Sequence, residues 1–187
     1  MRQIDLNGNW SSRPEVIKGQ IGEDIVLKHL EAMGYIIYRP VNGGAHPFDN
    51  LCANKDKSIF VVEIKTKPRR IYYPDTGINI RNYEDYCRTR AKHNIDIILF
   101  FVDEVKKCIY GGSLRDLETE ITIEHGIDTL NYPLRHNGII YFPLDNMKMG
   151  WDLSENEIMR LKQITTRSKP YDDLYQGITE RRIDDTI

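Results

Sequence analysis

Two charged residues lie inside a strongly apolar segment of this 187-residue chain. Glu63 and Lys65 occur in the run IFVVEIKT, residues 59–66, whose other members are mostly β-branched or aromatic. Burying a charged side chain is costly unless a partner compensates it. The pair therefore requires an internal ion pair, a metal ion or a solvated edge. A carboxylate and an ammonium group held together in this way could act on a phosphate ester.

Two further carboxylates are expected near this pair. Side chains alternate along a strand, so Glu63 and Lys65 share one face of the sheet. If the preceding segment pairs antiparallel through a turn at residues 54–57, Asp49 comes close to Glu63. Glu23 lies at the border of an apolar stripe on a predicted helix, where it can add a third acid. The pattern predicts that these four charged groups converge.

The chemistry that suits such a set is metal-assisted hydrolysis of a phosphodiester. Mg²⁺ prefers oxygen ligands from one or two carboxylates and leaves room for waters and phosphate oxygens. Asp49 and Glu63 can supply the carboxylates, and the carbonyl of Ile64 can complete the set. The cation would make a water molecule nucleophilic near neutral pH. Lys65 can orient that water or neutralise charge that develops on the phosphate.

Several flanking residues could contact nucleic acid. Lys67, Arg69 and Arg70 follow the strand directly, so they are expected to emerge beside the site and to contact phosphates. His46 precedes the site and could contact phosphate or remain a bystander. The tyrosine-rich segment IYYPDTGIN, residues 71–79, could stack on unpaired bases or pack over the sheet edge.

The elements that position these residues form an α/β pattern. A helix is predicted from about Pro14 to Met33, with Gly34 as its stop. Gly19 and Gly22 inside it would allow close approach of another backbone or a ligand. The order helix, three strands, helix, two strands indicates a mixed central sheet flanked by helices. The segments concerned are YIIYRPV, FDNLCAN, SIFVVEIKT, NYEDYCRTRAKHN, IDIILFFVDE and KKCIYGGSL, with residues 67–80 read as a long loop.

The C-terminal part is less regular. GIIYFPL reads as a strand, and LSENEIMRLKQI reads as a helix. Ser154 and Glu157 form a capping-box pattern at its start, and Leu153 with Ile158 fits a hydrophobic staple. From about Thr165 the chain is polar and charge-rich, as in a terminal arm. We expect a core at residues 14–116 and a C-terminal extension of unknown role at residues 117–187.

The spacing of Asp49 and Glu63-Ile64-Lys65, with an acid in a preceding helix, resembles the PD-(D/E)XK nuclease superfamily. The segment from Lys18 to Leu114 looks like archaeal-type Holliday junction resolvases. The resemblance implies a restriction-endonuclease-like core, DNA as substrate and dependence on Mg²⁺, for which Mn²⁺ is expected to substitute. It also implies metal ligation by Asp49 and Glu63, assistance from Glu23, catalysis by Lys65 and a possible homodimer. Here Phe48 stands where the common pattern has its proline.

Composition and charge limit the other possibilities. A net charge of −2 is not that of a general nucleic-acid coat, and three scattered cysteines favour neither a disulfide framework nor a zinc site. No apolar run reaches the length needed to span a membrane, and a cytoplasmic location is expected. Two alternatives stay open: an inactive module that binds nucleic acid or protein on the same fold, and an enzyme that acts on RNA.

Overall fold

The computed structural model describes residues 12–39, 50–56 and 58–166. The helices are α1 (Pro14–Ala32), α2 (Ile80–His93), α3 (Leu114–Leu117) and α4 (Glu155–Lys162). The first strands are β1 (Ile36–Tyr38), β2 (Asn50–Ala53), β3 (Ile59–Thr66), β4 (Asp75–Asn79), β5 (Asp96–Asp103) and β6 (Cys108–Ser113). The later strands are β7 (Ile121–His125), β8 (Asp128–Tyr132), β9 (Leu134–His136), β10 (Ile139–Pro143) and β11 (Lys148–Asp152).

A six-stranded mixed sheet forms the centre, in the order β1-β2-β3-β5-β6-β11. β2 and β3 pair antiparallel, with Asn50 opposite Val62 and Cys52 opposite Phe60. β3 and β5 pair parallel, and α2 lies in the crossover between them. The predicted fold class, a mixed sheet flanked by helices, is therefore confirmed. The antiparallel pairing expected for the segment before β3 is also present.

Helix α1 covers one face of this sheet. Pro14 opens the helix, where a missing N–H costs nothing, and Gly34 follows its end with φ +87°. The α1-side core is the cluster of buried residues between this helix and the sheet, and it includes Val26, Leu27 and Val62. Their burial places the apolar stripe of α1 against β3, on the face of the sheet opposite the charged pair.

One of the two glycines of α1 marks its closest approach to the sheet. A Cβ atom added at Gly22 would lie 1.8 Å from Thr66 Oγ1, whereas one at Gly19 would meet no atom of the described residues within 4 Å. The close neighbour of Gly22 is thus a side chain of β3 and not another backbone, and approach of a ligand to either glycine stays a prediction. Only hydrogen at position 22 lets the helix lie this close to the end of β3.

The opposite face of the sheet carries the α2-side core, a second cluster of buried residues. Val61 of β3 packs there with Leu99 and Phe101 of β5, and α2 contributes Tyr86. A smaller sheet in the order β4-β10-β9 adds Ile140 and Phe142 to the same cluster. Glu63 and Lys65 alternate with Val62 and Ile64, so they face this side.

The prediction of a long loop at residues 67–80 was wrong over its second half. β4 forms there because it pairs antiparallel with β10, which is remote in sequence. Similarly, β11 joins the central sheet at β6, and the hairpin of β7 and β8 was not foreseen. Short strands of this kind depend on partners that a local pattern does not contain.

Helix α4 begins as predicted. Ser154 accepts from the N–H of Glu157, and Glu157 accepts from the N–H of Ser154, which completes the capping box. Leu153 and Ile158 are both buried in the α1-side core, as the staple pattern indicates. Residues of the C-terminal extension thus belong to the same core as α1. Among the described residues, no helix is long and apolar enough to cross a membrane.

Candidate active site

Glu63 and Lys65 meet in an ion pair on the α2 side of the sheet. Lys65 Nζ donates to Glu63 Oε1, and the hydroxyl of Tyr86 donates to the same oxygen. Glu63 is 3% exposed, while the side chain of Lys65 keeps 27% of its surface open to solvent. An internal ion pair with an added hydrogen bond therefore offsets the cost of burying this carboxylate. The lysine provides the solvent-facing end of the pair.

Glu23 lies within electrostatic range of this pair. Its pKa is raised above the usual range, first by burial and second by the negative charge of Glu63. The positive charges of Lys65 and Arg39 lower the pKa of Glu23 in opposition. The structure thus brings three of the four predicted charged groups, from α1 and β3, into one interacting set.

The fourth predicted acid, Asp49, and the flanking residue His46 lie outside the described residues. Within residues 12–39, 50–56 and 58–166, no group of three or more His, Cys, Asp or Glu side chains is arranged to hold a metal ion. The predicted donors that the described part offers are the carboxylates of Glu63 and Glu23 and the carbonyl of Ile64. A divalent cation would relieve the electrostatic repulsion between the carboxylates of Glu63 and Glu23. These oxygen ligands therefore suit a hard divalent cation.

Lys67 is held just beyond the end of β3. Its ammonium group donates to the carbonyl of Gly77 in β4 at 2.5 Å. Burial lowers the pKa of Lys67 to about 8, and the positive charges of Lys65 and Arg70 act in the same direction, while Asp75 opposes them. A poorly solvated ammonium group at this point favours the approach of an anion.

Arg69 and Arg70 differ from the sequence-based expectation. Arg69 pairs with Asp103 at 3.0 Å through Nε, so much of its charge is compensated. Arg70 is only 4% exposed, and it forms a buried ion pair with Asp75. The expectation that Arg70 emerges at the surface beside the site was therefore wrong, because its guanidinium is committed to the core. The Cζ atom of Arg70 lies over the ring of Tyr141, 4.1 Å from the ring centroid.

A cavity of about 1050 Å³ opens next to the charged pair. It lies at the carboxyl ends of β3 and β5, where Thr66 and Lys67 meet Asp103 and Glu104. The tyrosine-rich segment supplies another wall, including Tyr72. Glu63 and Lys65 are not among its lining residues, so the cavity adjoins the pair without containing it.

Tyr86 is a residue of the candidate site that the sequence analysis did not single out. It is the buried residue of α2, whereas Ala91 on the same helix is exposed. Tyr83 and Cys87 are half-buried at the edge of the α2-side core. The available signal was an aromatic residue on the helix that must cover a buried Glu63.

No known protein family matches the chain, and no curated protein matches it. Several solved structures are similar to the chain. A Holliday junction resolvase of the archaeal hyperthermophile Archaeoglobus fulgidus is similar over 68% of this chain and 90% of its own, at 13% identity and TM-score 0.46. A protein of unknown function from Silicibacter pomeroyi is similar over 91% and 94%, at 14% identity and TM-score 0.29. Likenesses this distant say nothing about the reaction of this chain.

Proposed function

We propose that this protein is a Mg²⁺-dependent deoxyribonuclease that hydrolyses DNA phosphodiester bonds. The observation that carries the proposal is the set of Glu63, Lys65 and Glu23. The carboxylate of Glu63, nearly buried in the centre of an apolar strand, is paired with the partly exposed ammonium group of Lys65. The carboxylate of Glu23 interacts electrostatically with both groups. Such clusters are costly to fold and are concentrated at sites that perform chemistry.

Asp49 would complete this set. The antiparallel register pairs Asn50 with Val62, so one further step of the same ladder would put Asp49 opposite Glu63. Directly opposite residues share a face and lie about 5 Å apart. Asp49, Glu63 and the carbonyl of Ile64 would then hold Mg²⁺ or Mn²⁺. When bound, the cation would polarise the scissile phosphate and make water a better nucleophile near neutral pH.

The side chains of this chain have separate tasks in the proposed reaction. Lys65 positions the attacking water or balances the charge that builds up on the phosphate. Tyr86 fixes Glu63 by donating to Oε1, which keeps the carboxylate oriented. Glu23, with its raised pKa, can take up or release a proton close to the site.

Contacts to the DNA backbone are proposed for Lys67, Arg69 and His46. Lys67 and Arg69 keep part of their surface exposed and line the adjacent cavity. Arg70 is left out of this set because it is buried against Asp75. A homodimer remains a prediction, which size-exclusion chromatography with light scattering tests.

The proposal is tested by nicking of supercoiled plasmid with Mg²⁺ and with EDTA. Removing one transition-state contact typically costs about 10²–10³ in rate, so Asp49→Ala and Lys65→Ala are expected to lose at least that much. Lys28→Ala is the matched control, since Lys28 is an exposed α1 lysine bridged to Asp24. Wild-type cleavage by both site variants, with folding retained, would rule the mechanism out. Matched RNA substrates in the same assay decide between deoxyribonuclease and ribonuclease.

A further inference from the structure

The cavity at the ends of β3 and β5 has the position of a ligand site. In sheets with parallel strands, ligands bind beyond the carboxyl ends of the strands. β3 and β5 are the parallel pair here, and their last residues open into this cavity. Lys67 stands two residues after Lys65, which corresponds to about 7 Å along a strand. The cavity is therefore one nucleotide step from the proposed site of cleavage.

The walls combine aromatic rings with an excess of positive charge. Six Lys or Arg residues line the cavity against three Asp or Glu residues among the described part of the chain. Three of these bases are paired: Lys18 with Glu104, Arg69 with Asp103 and Arg70 with Asp75. The other charged lining residues are Lys67, Lys106, Lys162 and Glu15, so positive charge stays in excess. The cavity is thus suited to an anionic ligand.

The rings are accessible from the cavity side. Tyr72 is 42% exposed, so a large part of its surface remains open. Tyr73 and Tyr141 also line the cavity, and the guanidinium of Arg70 lies over both rings, at 4.3 Å and 4.1 Å. Arg70 therefore holds two rings in place, while Tyr72 keeps a larger share of its surface exposed.

The size of the cavity restricts what can enter. At about 1050 Å³ it matches the upper end of small-molecule pockets, which span roughly 300–1,000 Å³. This volume accepts one or two nucleotides and is too small for a duplex. Bases that are paired and stacked in a duplex do not expose their faces to a protein ring, whereas unpaired bases do.

We propose that this cavity binds an unpaired nucleotide next to the scissile phosphate, with its base on Tyr72 and its phosphate at Lys67. The inference rests on the proposed function, and it names the substrate class: DNA with unpaired nucleotides beside the cleaved bond. Burial that lowers the pKa of Lys67 to about 8 leaves a poorly solvated cation, which gains from a phosphate.

Binding without cleavage tests this inference. Fluorescence anisotropy in EDTA compares a labelled duplex that carries a short unpaired bulge with the same duplex fully paired. The variants are Tyr72→Ala, Tyr72→Phe, which keeps the ring, and Tyr38→Ala as a control. Tyr38 is a 64% exposed tyrosine of β1 that does not line the cavity.

The wild type and Tyr38→Ala should bind the bulged duplex at least about fivefold more tightly than the paired one, as loss of one base stack typically costs that much or more. Tyr72→Ala should lose this preference, and Tyr72→Phe should keep it. Equal binding of both probes by the wild type, or an unchanged preference in Tyr72→Ala, would overturn the inference. If the protein cleaves plasmid but binds both duplexes equally, only the assignment of the cavity is wrong. If it prefers the bulged duplex but shows no Mg²⁺-dependent cleavage, only the proposed function is wrong.

Discussion

The contact of Gly22 with Thr66 sets how closely α1 approaches the end of β3. It predicts that Gly22→Ala destabilises the protein, with Gly19→Ala as the control. A Cβ at position 22 would meet Thr66 Oγ1 at 1.8 Å and Thr66 Cβ at 3.0 Å. Rotation about χ1 of Thr66 can move the hydroxyl but cannot move Cβ. Gly22→Ala must therefore push the helix away from β3 or distort it.

The magnitude follows from two opposing contributions. Replacing glycine by alanine inside a helix stabilises it by about 1 kcal/mol, and overpacking a tight contact costs about 1–3 kcal/mol. Gly19→Ala is expected to have the stabilising contribution alone, because no atom in the described part of the chain lies within 4 Å of its added Cβ. The free energy of unfolding of Gly22→Ala should thus be about 1–3 kcal/mol below that of Gly19→Ala.

Urea unfolding followed by far-UV circular dichroism measures this difference. A double variant, Gly22→Ala with Thr66→Ala, should recover part of the loss because the hydroxyl and methyl groups of Thr66 are gone. Equal stability of Gly22→Ala and Gly19→Ala would refute the reasoning, since it would mean that α1 does not press on the end of β3.

Three further predictions concern stability. Tyr86→Phe should lower the free energy of unfolding by about 1.5–3 kcal/mol, because the carboxylate of Glu63 loses the hydrogen bond from the Tyr86 hydroxyl. Urea melts measure this change, and an unchanged free energy of unfolding would contradict the prediction. Lys67 has a folded pKa of about 8, below its unfolded value, so the unfolded chain binds more protons between pH 8 and 10. The stability of the wild type relative to Lys67→Met should therefore rise by about 1–3 kcal/mol across that window, and a flat difference would exclude the shift. Ser154→Ala should cost about 1 kcal/mol in urea melts by removing the capping box, and no loss would show that α4 does not depend on its cap.

Much of the fold follows from local pattern. The apolar stripe and Pro14 predict α1, the Ser154–Glu157 spacing predicts the start of α4, and the uninterrupted apolar run predicts β5 as a strand buried on both faces. These elements carry their own signals. β4 and β11 do not, because each is short and is stabilised by pairing with a strand that is distant in sequence.

The sequence also predicts some features of the candidate site and not others. Strand alternation correctly placed Glu63 and Lys65 on one face, and helix periodicity placed Glu23 toward the sheet. Sequence reasoning could not decide which cations remain exposed. Arg70 reads as a surface residue beside Arg69, yet a buried Asp75 on β4 takes it inside. Such a pairing depends on the tertiary structure that surrounds both groups.

The central claim is that the carboxylates of Asp49 and Glu63 share one divalent cation beside Lys65. A crystal structure of the protein soaked with Mn²⁺, with anomalous scattering used to locate the ion, tests it most directly. The account predicts an anomalous peak within about 2.0–2.3 Å of carboxylate oxygens of both Asp49 and Glu63, with Lys65 close by. A peak elsewhere, or Asp49 directed to the face of the sheet opposite Glu63, would contradict it.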